Sequence, residues 1–77
     1  MKKQTYSQFC AFVKENFSLV LFVSQFKNLL GYNYLCSIIK DDEGWCYVYY
    51  RREDGDPIKR FVQNYADGLD FIKTYLI

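Results

Sequence analysis

Hydrophobic positions in this chain follow a helical interval at both ends and a strand-like one in the middle. Tyr6, Phe9, Cys10, Val13 and Phe17 recur at i, i+3, i+4, i+7 and i+11, which gathers them on one helix face. Thr5-Tyr6-Ser7-Gln8 fits a capping box, the Thr5 hydroxyl covering one orphan amide while Gln8 reaches back to the cap. The pattern predicts an amphipathic helix over residues 5–16. Near the other end Tyr65, Leu69, Ile72 and Leu76 repeat the interval, Phe71 and Tyr75 broaden the stripe, and Asn64 caps it. Asp67 falls near the positive end of that helix, and Gly68 weakens it by roughly 1 kcal/mol relative to Ala.

The middle of the chain is organised around Gly44-Trp45-Cys46-Tyr47-Val48-Tyr49-Tyr50-Arg51-Arg52, an aromatic and β-branched run between two loop signals. Asp41–Gly44 joins it to a loosely alternating strand over Tyr32–Lys40. Glu53–Pro57 returns it along Ile58–Gln63, where Pro57 suits the start of a strand because its missing donor does little harm. Two short loops in succession predict a three-stranded antiparallel meander. Residues 18–31 support two readings. As a helix, Leu19, Phe22, Val23, Phe26 and Leu30 form a stripe, Ser18 caps the start and Gly31 stops the end. As a strand, Leu19–Val23 is rich in β formers and short enough to be buried on both faces. The helix is preferred, because the stripe continues past Val23 and Gly31 is correctly placed.

The expectation is therefore a single α+β domain over residues 1–77: one or two N-terminal helices, a three-stranded antiparallel meander, and a C-terminal helix on the same face. Seventy-seven residues sit near the lower limit of what one core can stabilise, so sixteen aromatic side chains matter, and a homodimer is one way to bury more surface. The net charge is +1, but five bases face one acid in residues 1–40 and five bases face eight acids in residues 41–77. Acids gathering in solvated turns account for that asymmetry.

Pairing Lys40 with Trp45 and Arg51 with Ile58 sets the faces of the sheet. Tyr32, Tyr34, Tyr47, Tyr49, Arg51 and Arg60 then share one face, and Leu35, Ser37, Ile39, Cys46, Val48 and Phe61 the other. The aliphatic set suits the helices and the tyrosine and arginine set suits solvent, although a one-residue slip exchanges the faces. An exposed Tyr/Arg face has three readings: a solvated sheet, a protein–protein or dimer interface, or a stacking platform for single-stranded nucleic acid. The even charge balance counts against nucleic acid.

Several chemistries are excluded. Without histidine there is no Ser-His or Cys-His nucleophile, and four glycines form no phosphate loop or dinucleotide fingerprint. Cys10, Cys36 and Cys46 are odd in number, widely spaced and each within an apolar run, so they fit buried free thiols in a reducing cytoplasm rather than a disulfide framework or zinc site. The acids Asp41, Asp42, Glu43, Glu53 and Asp54 lack calcium-loop spacing and lie in loops at opposite ends of a meander. No cofactor is implied, and the longest apolar run, Leu19–Val23, is too short for a membrane span.

With residues 18–31 as a connector, the order helix, three strands, helix is similar to that of a double-stranded RNA-binding domain. That family begins its last helix with a basic Lys-Lys-x-Ala-Lys motif, whereas this chain has the acidic Asn64-Tyr65-Ala66-Asp67-Gly68-Leu69-Asp70. The order of elements therefore carries no RNA-binding function across. The expected function is a non-enzymatic protein-binding module, a stoichiometric inhibitor or adaptor of the kind mobile elements direct at nucleic-acid-binding host or defence proteins. Its expected contacts are Tyr34, Tyr47, Tyr49, Arg51 and Arg60 with the acidic loops. The alternative is a single-stranded RNA or DNA binder using the tyrosine face.

Overall fold

A computed structural model describes residues 3–77. Helix α1 (Tyr6–Asn16) is followed by four strands, β1 (Leu19–Lys27), β2 (Asn33–Lys40), β3 (Cys46–Arg52) and β4 (Ile58–Val62). The chain closes with α2 (Tyr65–Phe71), which continues into a π-helical turn over Ile72–Leu76. The strands form one antiparallel sheet in the order β1-β2-β3-β4.

Both caps form as expected. Thr5 accepts from the Gln8 amide at 3.2 Å while Gln8 Oε1 accepts from the Thr5 amide at 3.0 Å, and Asn64 accepts from the Asp67 amide at 2.9 Å. Phe9 and Val13 on the α1 stripe are buried.

Residues 18–31 are a strand and a hairpin turn, not a helix. β1 pairs with β2 along its length, and a bulge interrupts the register between Val20 and Phe22. That bulge explains the helical look of the sequence. It sets Val20 and Val23, three apart, on one face of the sheet, and Phe22 and Phe26, four apart, on the other. Gly31 is a real stop signal, but for a turn: it takes φ +90° at the end of the β1–β2 loop.

The hairpin registers differ by one residue from the expected ones. Asp41 closes on Trp45, its amide donating to the Trp45 carbonyl at 3.0 Å, so the loop has three residues and Lys40 pairs with Cys46. Gly44, at φ +90°, supplies the left-handed third position that such loops require. In the next hairpin Tyr50, not Arg51, pairs with Ile58. The shift moves Leu35, Ser37 and Ile39 onto the same face as Tyr47, Tyr49 and Arg51.

The two helices cover opposite faces, which corrects the same-face arrangement. One core unites Cys36, Ile38, Cys46, Val48 and Val62 with Ile72 and Leu76 of the C-terminal helix. The other unites Leu35, Ile39 and Tyr49 with Phe9 and Val13 of α1. Neighbouring residues Ile38 and Ile39 point to opposite sides, so every residue of β2 from Leu35 to Ile39 is buried. Gly68 lets α2 approach closely: a Cβ there would lie 3.1 Å from Ile38 Cδ1.

Candidate functional site

Because both faces carry a helix, the expected tyrosine surface does not exist as one plane. Tyr49 retains only 8% exposure and is the centre of the α1-side core. Its ring stacks on Phe9 and Phe12, both at 5.8 Å between centroids, and tilts against Phe17 at 5.1 Å. Burial raises its phenol above the ordinary range, opposed in part by Arg51. Tyr34 lies on the α2 side, stacked on Phe26 at 5.8 Å. Arg60 is also on that side, its guanidinium 4.8 Å above the Phe71 ring. Arg51 points towards α1, and its side chain donates to the carbonyls of Arg52 and Glu53. Of the expected residues, only Tyr47 stands at an open part of the sheet. Tyr32 flanks the far hairpin, with the Arg52 guanidinium 4.0 Å over its ring.

The acidic loops are at opposite ends of the sheet, and their carboxylates have local work. Asp41 accepts from the amides of Glu43 and Trp45 at 3.0 and 2.9 Å, and Asp42 accepts from the Ser18 hydroxyl. Glu43 accepts from the Trp45 indole at 3.2 Å. At the other end Glu53 accepts from Asn33 at 2.9 Å and pairs with Lys3 at 3.5 Å, while Asp54 lies 3.7 Å from Arg52. Among the described residues no group of three or more acids and cysteines is arranged to hold a metal ion, and no helix is long and apolar enough to cross a membrane. The three cysteines are free, and burial pushes the Cys36 thiol up to about 12.

The open part of the α1 side is the candidate site. α1 lies over β1 and β2 and reaches Tyr49 of β3, and among the described residues no helix covers the corner of that face at Trp45, Tyr47 and Phe61. Three rings stand there. Phe61 meets Tyr47 across the strand pair at 5.9 Å and Trp45 at 5.7 Å, both edge-on. Trp45 keeps 53% and Phe61 51% of their surface in solvent. Lys59 borders the group, its ammonium 4.6 Å above the Tyr47 ring and 6.0 Å from that of Phe17. The patch has an apolar floor, one cation at its side and the Asp41–Glu43 loop at its end.

Sequence reasoning placed Phe61 in the core and gave Trp45 no role. Gly44, as the left-handed residue of a three-residue loop, fixes Lys40 against Cys46 and so the faces of β2. The face of Phe61 depends instead on the β3–β4 register, Tyr50 against Ile58, which Gly44 does not set. No protein-family model matches the chain, and neither a curated protein nor a solved structure matches it.

Proposed function

We propose that the chain is a non-enzymatic protein-binding module, a stoichiometric inhibitor or adaptor that works in the cytoplasm by occupying a partner's surface. What supports this reading is the helix-free corner at Trp45, Tyr47 and Phe61, where two large rings remain half in water. Trp, Tyr and Arg are the side chains that anchor protein interfaces, and an apolar centre with a charged border is the usual anatomy of such a patch. The acidic loop at the edge favours a partner with basic groups beside its apolar anchor, which is the property of a nucleic-acid-binding protein. Direct targeting of such a protein is the narrower form of the proposal.

A single-stranded nucleic acid stacking on Trp45, Tyr47 and Phe61 is the second reading, favoured by three rings and Lys59 on an open sheet surface. The carboxylates of Asp42 and Glu43 beside Trp45 oppose it, because they repel phosphate. Trp45 is the only tryptophan in the chain, so its fluorescence reports directly on this corner. Titration with a short oligothymidylate at low and moderate salt is expected to leave that emission unchanged. Replacing Phe61 with a photo-crosslinking benzoylphenylalanine is expected to give one discrete protein adduct in cells. Salt-sensitive quenching with no adduct would exchange the two readings.

A further inference from the structure

We infer that β4 is the receptor strand for an extended segment of another protein, one reading apolar–acidic–acidic–apolar over four residues. The inference rests on the protein-binding reading above and specifies what the partner presents. β4 ends the sheet, and among the described residues no strand lies on its outer side. Its residues 58–61 are all exposed. A free edge offers a row of backbone donors and acceptors to an incoming strand, and alternate side chains of that strand fall on the two faces.

The side chains of this edge form an ordered pattern, Ile58-Lys59-Arg60-Phe61. Lys59 and Phe61 lie on the α1 side, opposite Tyr49 and Tyr47, while Ile58 and Arg60 lie on the α2 side. Each cation is drawn back over a ring: Lys59 over Tyr47 at 4.6 Å and Arg60 over Phe71 at 4.8 Å. Among the described residues neither forms an ion pair. The edge thus holds one cation without an ion pair on each face, each lying over a ring. A strand added here sets its side chains directly opposite those of β4. Consecutive acids would meet Lys59 and Arg60 on their separate faces, and apolar residues would meet Ile58 and Phe61. The residue opposite Phe61 extends the Trp45–Phe61–Tyr47 group. Because the β4 pattern reads the same in both directions, parallel and antiparallel addition ask for the same four residues.

Other occupants fit less well. Pairing of β4 with a second copy about Arg60 sets that cation against itself, and the chain's own runs of acids lie in turns, not in extended segments. A nucleic acid cannot continue the backbone ladder. The opposite edge, β1, carries a bulge, a feature that disrupts further pairing.

The test is fluorescence anisotropy of the full chain with labelled eight-residue peptides. A peptide centred on Val-Glu-Glu-Phe is expected to bind saturably, and its Val-Lys-Lys-Phe counterpart roughly tenfold more weakly or not at all. Methylating alternate backbone amides of the acidic peptide, in each of the two registers, is expected to abolish binding in one register only. The exposed-site variant Lys59→Glu/Arg60→Glu is expected to reverse the preference between the two peptides. Equal binding of acidic and basic peptides, binding unaffected by methylation in both registers, or a dimer in sedimentation that Lys59→Glu/Arg60→Glu alters would overturn the inference. A cellular partner lost on Trp45→Ala/Phe61→Ala but kept on Lys59→Glu/Arg60→Glu would also overturn it, while leaving the broader protein-binding reading in place.

Discussion

The sheet is closed differently on its two sides. Beneath α2 the core is mainly aliphatic, Cys36, Ile38, Val48 and Val62 against Ile72 and Leu76, and a glycine brings the helix backbone down onto Ile38. Beneath α1 four rings, Phe9, Phe12, Phe17 and Tyr49, gather beside the aliphatic Val13, Leu35 and Ile39. The C-terminal helix meets β2, β3 and β4, whereas α1 meets β1 and β2 and reaches β3 through ring contacts on Tyr49. The corner at Trp45, Tyr47 and Phe61 lies beyond that contact, and Trp45 and Phe61 stay half-exposed. The same comparison shows that tyrosine in a strand is no guide to the wet face, since Tyr49 is a core residue and Tyr47, two positions away, borders solvent.

The contrast can be broken most sharply at Tyr49. Tyr49→Ala is expected to cost about 3–5 kcal/mol in urea unfolding, as for other buried aromatic truncations, and Tyr49→Phe under about 1 kcal/mol. A cost below about 1 kcal/mol for the alanine variant would mean that the α1 side is not closed as described. On the α2 side, Gly68→Ala is expected to destabilise by about 1 kcal/mol even though alanine favours helices, because its Cβ would press on Ile38. Adding Ile38→Val should recover part of that loss. On the α1 side of β2, opposite Tyr49, sits Ser37, fully buried, its hydroxyl without a hydrogen-bond partner among the described residues. Ser37→Ala is expected to raise stability by up to about 1 kcal/mol.

Ionisation gives the smallest effect at neutral pH and a visible one only in alkali. The Cys36 thiol has a folded-state value of about 12 against an ordinary 9.0, because burial disfavours the thiolate. The unfolded chain releases this proton first, so the stabilisation is complete below pH 9 and declines as pH rises from there towards 12. Tyr49 and Cys46, also raised by burial, act in the same sense. Thermal melts from pH 7 upward should therefore be flat and then fall, and Cys36→Ala should flatten part of the fall.

Much of the fold was legible where local chemistry and periodicity agree. The capping box at Thr5, the α1 stripe, the Asn64 cap and three of the strands all follow from residue type and spacing. The β1 segment was misread because a bulge reproduces helical spacing with side chains that belong to opposite faces of a strand. Register was lost through one residue of loop length. The β1–β2 and β2–β3 loops share one design, Asn28-Leu29-Leu30-Gly31-Tyr32 and Asp41-Asp42-Glu43-Gly44-Trp45. In each, the first side chain accepts from two loop amides, at 3.0 Å from Leu30 and Tyr32 and at 3.0 and 2.9 Å from Glu43 and Trp45. The glycine is left-handed in both. The repeat was present in the sequence, but its meaning depends on knowing that the loop holds three residues. The candidate corner was not legible, because it depends on where α1 sits across the sheet, and that is decided by ring packing between elements distant in sequence.

The two loops also supply a control. Their tips differ, Leu29 and Leu30 at 93% and 80% exposure in one and Asp42 and Glu43 in the other, while the turn is the same. Leu29→Asp/Leu30→Glu should leave the fold unchanged and remove a second exposed apolar feature of the surface. The most direct measurement is therefore a quantitative affinity capture from cells with three baits: wild type, Trp45→Ala/Phe61→Ala and Leu29→Asp/Leu30→Glu, each verified as folded by its melting profile. The account predicts a protein recovered by the wild type and the loop variant and lost with the Trp45/Phe61 variant. A partner lost with the loop variant and retained without Trp45 and Phe61 would contradict it.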